Sequence, residues 1–471
     1  MSNLVAVILA AGKGTRMKSR LPKVLHKVGG RPMVEHVLEA AEAAGAERKI
    51  VVVGFGSEQV EEFLAARAEI VLQQEQLGTG HAVLQTEAKL QGTSGTMLIL
   101  CGDTPLLDGQ ELHKFYEAHQ ASGAAASVLT ARADNPTGYG RIVRDANGKV
   151  SGIVEEKDAS SEQKKIHEIN TGIYCVEIPL AFEVLHTLTN NNAQGAYYLT
   201  DILTKLRDQG QLICGIVTED FDMVMGINSR VQLAQAEGIM RKRILTRLME
   251  SGVTIMDPAS TFIESTVTIG ADTVIYPNTW LEGNTVIGTD NIIGPSVRLT
   301  NVQVGNGNEL QFLYGHECRI ENNTTLGPYV HLRPNTVISD KVHIGNYVEV
   351  KNSTIGVGTK LPHLTYIGDT DMGSHVNMGC GCITVNYDGK LKHRTVVEDD
   401  AFVGCNTNLV APVSVGRGAY IGAGSTITKN VPADAQKCLA HGVCGYVCFV
   451  ARACYYGGKV LHGGICLALT G

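Results

Sequence analysis

The residues of this chain best suited to chemistry fall into two sets far apart in sequence. The first begins at Leu9-Ala10-Ala11-Gly12-Lys13-Gly14-Thr15-Arg16-Met17. Its glycines would let backbone N–H groups close on a phosphate at a helix start, with Lys13, Arg16 and Lys23 adding charge for a triphosphate; otherwise it is a strand–helix turn with surface cations. It is no P-loop, because no Lys-Ser/Thr pair follows the second glycine. It is no dinucleotide fingerprint either, because Met17 stands where a third glycine belongs. A second polar, glycine-punctuated loop, Gln73–His81, reads as one able to grip a base. Asp103 closes the apolar run Leu98-Ile99-Leu100-Cys101-Gly102. Alone such a carboxylate is a helix cap; beside a triphosphate it is a metal ligand. In the second set, Arg333 and Lys351 are either a clamp for a sugar phosphate or solvated corner charges. His363 with Glu349 reads as a base and its orienting carboxylate, or else as a surface histidine. Tyr366 and Asn377 offer a hydroxyl and an amide, and Lys392 a further cation.

The elements that must position these groups differ between the two halves. In the first ~230 residues short apolar runs alternate with helical patterns. Val5–Leu9, Ile50–Val53, Thr96–Leu100 and Ala125–Leu129 read as buried strands, and Pro32–Ala44 and Gln110–His119 as helices. That alternation predicts a parallel sheet covered on both faces, with ligands at the carboxyl ends of its strands. Val231–Met249 reads as a connecting helix. Beyond Gly252 an aliphatic residue recurs every six positions, as in Ile269, Ile275, Leu281, Ile287, Ile293 and Leu299, or Ile320, Leu326, Leu332, Ile338, Ile344 and Val350. A six-residue period is one side of a triangular β-helix coil. The phase breaks near Val304–Arg319 and Thr384–Val396, where an insertion is expected to loop out on one face.

Composition bounds the alternatives. The chain has 471 residues, 44% hydrophobic and 18% charged, with net charge −7, which points away from a nucleic-acid or acidic-membrane partner. Met1-Ser2-Asn3 opens no apolar signal, so the expected location is the cytoplasm, with no integral membrane segment. The twelve cysteines follow no disulfide-scaffold spacing.

The motifs Leu9–Met17, Gln76–His81, Gly102–Leu106, Gly138–Arg141, Glu168–Gly172 and Asn191–Gly195, in that order, resemble those of the sugar-nucleotide pyrophosphorylases. With a hexapeptide-repeat half attached, the chain is similar to the bacterial bifunctional uridylyltransferase–acetyltransferase family over residues 1 to about 434. The resemblance implies an α/β fold: a Rossmann-like nucleotidyltransferase domain at 1–228, a helical linker at 229–252, and a left-handed parallel β-helix at 253–434. Residues 435–471 form an atypical tail.

It implies acetyl transfer from acetyl-CoA to glucosamine 1-phosphate, then uridylyl transfer from UTP to N-acetylglucosamine 1-phosphate. Leu9, Ala10, Gly12, Gln73, Gly78 and Thr79 would hold uridine, Arg16 and Lys23 the triphosphate, and Gly140, Glu155 and Asn170 the sugar. Asp103 and Asn228 would bind Mg²⁺. His363 would be the base of acetyl transfer. Arg333, Lys351, Tyr366, Asn377 and Lys392 would hold the sugar phosphate, and Cys380, Asn386, Tyr387, Cys405 and Ala423 would line the acetyl-CoA groove of a homotrimer acting on small molecules alone.

Several residues depart from the pattern. Ala196 stands where the family carries Glu, Cys382 where Thr is usual, and Pro362 precedes His363, where loss of an N–H threatens the placing of the base. Gln436–Gly471 has no acidic residue and five cysteines. It reads as an altered terminus rather than a metal site of Cys438, His441, Cys444, Cys448 and Cys454, whose spacing fits no zinc pattern. Ala440 stands near the place of the family's CoA-binding cation. Two other readings are a uridylyltransferase with a defective acetyltransferase site, and a non-catalytic scaffold. Retention of Asp103 and Asn228 argues against the scaffold.

Overall fold

The computed structural model describes residues 3–54, 56–438 and 448–449, the last five of these by backbone alone. The expected altered terminus, and the metal site of Cys438, His441, Cys444, Cys448 and Cys454 set against it, lie outside the described side chains. The chain divides into two compact units, Met1–Met240 and Arg241–Gly471.

The first unit is built on a nine-stranded sheet. Its strands are β1 (Leu4–Ala10), β2 (Arg48–Gly54), β3 (Glu69–Gln73), β4 (Thr96–Cys101), β5 (Ala126–Arg132), β6 (Arg141–Arg144), β7 (Val150–Val154), β8 (Glu168–Glu177) and β9 (Ile213–Thr218). The main path runs β9-β5-β8-β4-β1-β2-β3, with the β6–β7 hairpin paired to β8. β1 is apolar throughout because both its faces are covered. Leu4, Ala6 and Ile8 pack with Val34, Val37, Leu112 and Phe115 on one side. Val5 and Val7 pack with Val83, Phe182, Leu185 and Leu206 on the other. Each such Val, Leu, Ile or Phe side chain contributes about 1.5–3 kcal/mol by leaving water. The helix Gly109–Ser122 starts where the Asp108 carboxylate accepts the N–H groups of Gln110 and Glu111, and ends at Gly123 in the left-handed region.

The sheet is mixed, not wholly parallel as expected. β8 runs antiparallel to both β4 and β5. Parallel neighbours need a crossover, usually a helix, whereas the chain between β5 and β8 makes a hairpin and a single 3₁₀ turn, and returns antiparallel.

The second unit is a parallel β-helix. Phe262 pairs with Trp280 and Trp280 with Arg298, a rise of 18 positions per coil, or three six-residue sides. The repeated aliphatics point inward: Ile275, Leu281, Ile293, Leu326, Ile338, Leu361, Val403 and Ile421 are all fully buried, while Ile269 near the first coil is half-buried. Most buried threonines satisfy their hydroxyls at the corners; Thr279 Oγ1, for one, donates to the Tyr276 carbonyl at 2.8 Å, whereas the buried Thr395 hydroxyl has no partner among the described residues.

The two breaks in phase differ in kind. At Val304–Arg319 nothing loops out, against expectation. The coil shortens, Arg298 pairing with Tyr314 and Gln303 with Arg319, and Gly315 takes the inward place between Leu299 and Leu332. The second break does loop out. Asp371 pairs with Val396, 25 positions on, and residues 386–394 fold back through a Tyr387–Lys392 bridge. Among the described residues no helix is long and apolar enough to cross a membrane.

Candidate active sites

In the first unit the glycine loop after β1 and the Gln73–His81 loop after β3 meet at the carboxyl edge of the sheet. Between them lies a cavity of about 290 Å³ lined by Leu9, Ala10, Gly12, Lys23, Gln73, Gly78, Thr79 and Asp103. Gly78 has φ 119°, and a Cβ there would sit 2.5 Å from the Tyr197 carbonyl oxygen, so only glycine lets this loop close. Gln73 Nε2 donates to the Gly78 carbonyl at 3.1 Å, and Thr79 Oγ1 accepts the Leu199 N–H at 3.1 Å. Gln76 donates to the Ala11 carbonyl at 2.7 Å, joining the two loops. A second hollow, lined by Gly12, Lys13, Arg20 and Lys23, continues the first. Arg16 is exposed and lines neither.

At the cavity floor the Lys23 ammonium bonds the Asp103 carboxylate and, at 3.0 Å, the Asn228 Oδ1. Two hard oxygen donors thus converge on one cation. That donor set fits a small divalent ion, which characteristically takes one or two protein oxygens and completes its shell with water and phosphate. Among the described residues no group of three His, Cys, Asp or Glu forms a full protein cage.

Gly140, Glu155 and Asn170 also come together. A Cβ on Gly140 would lie 3.4 Å from Asn170 Cβ and 3.6 Å from Glu155 Oε1. Asn170 Oδ1 accepts from the Gly172 N–H at 3.0 Å and the Tyr174 hydroxyl at 2.9 Å. Burial pushes the Glu155 carboxyl above its usual range, with the neighbouring Asp158 and Asp201 adding to it. Cys101, which lines the cavity, faces Gly172, so this cluster adjoins the nucleotide cavity. Burial pushes the Cys101 thiol up to about 12.

The second set is arranged on one face and two corners of the β-helix. Two long strands, β10 (His343–Lys351) and β11 (Lys360–Gly368), pair in register, Asn346 to His363, Glu349 to Tyr366 and Lys351 to Gly368. His363 stands exposed at a corner. Its Nδ1 lies 2.8 Å from Asn346 Oδ1. An amide oxygen only accepts, so Nδ1 carries the proton and Nε2 is left able to take one.

The expected His363–Glu349 pair is not formed. Glu349 instead binds Arg333 at 3.0 Å, because strand register sets it three residues from the histidine's partner. Pro362 does not break the strand, since Gly345 opposite leaves room where a Cβ would meet the Pro362 carbonyl. Cys380 and Cys405 follow His363 on successive coils at the same corner, Gly381 N–H reaching the His363 carbonyl at 3.4 Å and Asn406 N–H the Cys380 carbonyl at 2.7 Å; Gly424 N–H, beside Ala423, reaches the Cys405 carbonyl at 2.7 Å.

At the other corner Lys351 lies 3.5 Å from Asp369. The Asp369 carboxylate also accepts from Asn352 and Asn386. Burial alone would push Asp369 up, but these amides and the Lys351 ammonium outweigh it and leave the carboxyl below its usual range. Lys392, on the looped-out segment, has its pKa lowered by the Lys351 ammonium beside it. Tyr387 is exposed, its hydroxyl donating to the Gly389 carbonyl at 2.7 Å. Asn377 lies one side further round, paired between Lys360 and Phe402. The sequence reading placed Gln76 in a loop without singling it out, and missed Arg20, Cys101, Asn346 and Asp369. The only signal for the last two is spacing: 346 precedes 363, and 369 falls between 352 and 386, by seventeen positions each.

Two family models match the chain: the MobA-like NTP transferase domain over residues 6–166, and the bacterial transferase hexapeptide (six repeats) over 317–352 and 394–429. A "Bifunctional protein GlmU" from Geobacillus sp. (strain WCH70) is 54% identical over 430 residues, 91% of this chain and 94% of that one. One from Halalkalibacterium halodurans is 50% identical over 435 residues, 92% and 96% of the two chains. One from Listeria monocytogenes serotype 4a is 48% identical over 435 residues, 92% and 95%. With a nucleotidyltransferase half, a hexapeptide-repeat transferase half and relatives of this identity along both, the chain belongs to the bifunctional GlmU family.

Proposed function

We propose that the chain makes UDP-N-acetylglucosamine by acetyl transfer on the β-helix and uridylyl transfer at the N-terminal cavity. The observation that carries the reading is the Lys23 cation shared by Asp103 and Asn228 beneath two glycine-punctuated loops. Uridine lies against Leu9, Ala10, Gly12, Gln73, Gly78 and Thr79. The triphosphate meets Lys13, Arg20 and Lys23, with Arg16 outermost, and the amino sugar lies against Gly140, Glu155 and Asn170. The sugar-phosphate oxygen attacks the α-phosphorus of UTP, and pyrophosphate leaves. The protein aligns the two and neutralises charge. Asp103 and Asn228 would hold Mg²⁺, which when bound supplies further neutralisation of the phosphates. Lys23 would then serve the phosphates. Pyrophosphate release from UTP and N-acetylglucosamine 1-phosphate tests this; a rate indifferent to Mg²⁺ and to Asp103→Asn would remove the metal assignment.

On the β-helix, Arg333, Lys351, Tyr366, Asn377 and Lys392 hold glucosamine 1-phosphate, and Cys380, Asn386, Tyr387, Cys405 and Ala423 line the acetyl-CoA groove. The substrate amine attacks the thioester carbonyl, its proton passes to His363 Nε2, and CoA thiolate leaves. The His363 and Lys351 corners sit at opposite ends of one side, on the order of 15 Å apart along the strand. That separation favours a homotrimer in which a neighbouring copy completes the site. Light scattering should give three times the 50.4 kDa chain mass. Free-thiol release from acetyl-CoA and glucosamine 1-phosphate tests the chemistry, and equal release by His363→Ala would remove the base.

A further inference from the structure

Asp369 is not among the groups proposed to hold either substrate, yet three of those groups are arranged around it. It is a corner residue with φ 49° and 5% exposed. One coil earlier, Lys351 Nζ lies 3.5 Å from its Oδ2 and Asn352 Nδ2 donates to its Oδ1. One coil later, Asn386 Nδ2 donates to its Oδ2. Its own N–H donates to the Lys351 carbonyl at 3.0 Å, and its carbonyl accepts the Thr395 N–H at 3.1 Å, so it ties down both ends of the looped-out segment. Tyr366 converges on the same spot: a Cβ at Gly368 would crowd both its hydroxyl and Asn386 Nδ2. A carboxylate this buried costs free energy unless fully paired, and here three donors pair it.

We infer that Asp369 is a positioning residue of the acetyl-transfer site, fixing the Lys351 ammonium and the Asn386 carboxamide relative to each other so that sugar phosphate and acyl donor are held in one register. This rests on the acetyl-transfer reading above. Positioning of this kind acts on binding of both substrates more than on the chemical step.

The test compares the full-length chain with Asp369→Asn, Lys351→Met and the double variant, in steady-state thiol release. Asp369→Asn should raise KM for both glucosamine 1-phosphate and acetyl-CoA by about tenfold, with kcat within about threefold. The double variant should have a sugar-phosphate KM no higher than Lys351→Met alone, since both changes break one linkage. Multiplying effects, or unchanged Michaelis constants with a lowered melting transition, would overturn the inference and leave Asp369 a structural corner. If Asp369→Asn does not fold, Asp369→Glu keeps the charge but displaces it by a methylene, and should raise both constants; unchanged constants would overturn the inference. A wild-type chain that releases no thiol while releasing pyrophosphate would sink the acetyl-transfer reading itself, and the inference with it.

Discussion

Cys101 lines the nucleotide cavity, but a thiol raised to about 12 by burial stays protonated and unreactive near neutrality. Iodoacetamide at about pH 8 should therefore label exposed Cys405 and spare Cys101, and also Cys382, whose thiol burial raises to about 11. Peptide mapping reads the result, and alkylation of Cys101 at the rate of Cys405 would contradict it. His363 depends on its partner. Asn346→Ala frees the ring to take the other tautomer, and kcat for acetyl transfer should fall by about tenfold, against about 10²–10⁴ for His363→Ala. The Asp369 carboxyl has a depressed pKa in the folded chain. It therefore stabilises fully above its unfolded value of about 3.9, and that stabilisation is lost as pH falls through the lower folded value. The acid unfolding transition of the β-helix should move to higher pH in Asp369→Asn, as followed by circular dichroism.

At the scale of elements, the β-helix is stacked sides whose inward aliphatics touch those of the coils before and after. Truncating Ile338, fully buried, to Ala should cost about 2–5 kcal/mol in chemical denaturation, whereas Val286→Ala at an outward position should stay within about 0.5 kcal/mol. Equal costs would contradict the inward assignment. The looped-out segment is held by its own bonds: Asp388 accepts from Lys390 N–H, Leu391 N–H and His393, and Arg394 pairs with Asp371. These contacts hold the exposed Lys392 beside Lys351.

For the whole molecule, the two units carry separate cores and separate candidate sites. Independence of the half-reactions follows. Asp103→Asn should leave thiol release within about twofold of wild type, and His363→Ala should leave pyrophosphate release equally unaffected, because sites on separate cores that share no partners act independently. A cross-effect of tenfold in either assay would contradict it.

The residue pattern determined a good deal without the coordinates. The alternating apolar runs of β1, β2 and β4 marked a buried sheet, and the six-residue period fixed which side chains of the β-helix face inward. Both follow from local periodicity, since a strand or coil side repeats its buried face at fixed spacing. The glycine loop and Asp103 were legible for the same reason, each lying at the end of a recognisable strand. Tertiary structure alone decided the partners. Whether β8 ran parallel depended on the path of the chain between strands. Asn346 displaced Glu349 beside His363 because register across coils, invisible along one strand, sets who stands opposite whom. Asp369 gained its place only when Asn352 and Asn386, each seventeen residues away, were stacked on either side of it, since a buried carboxylate is defined by the donors that folding brings to it.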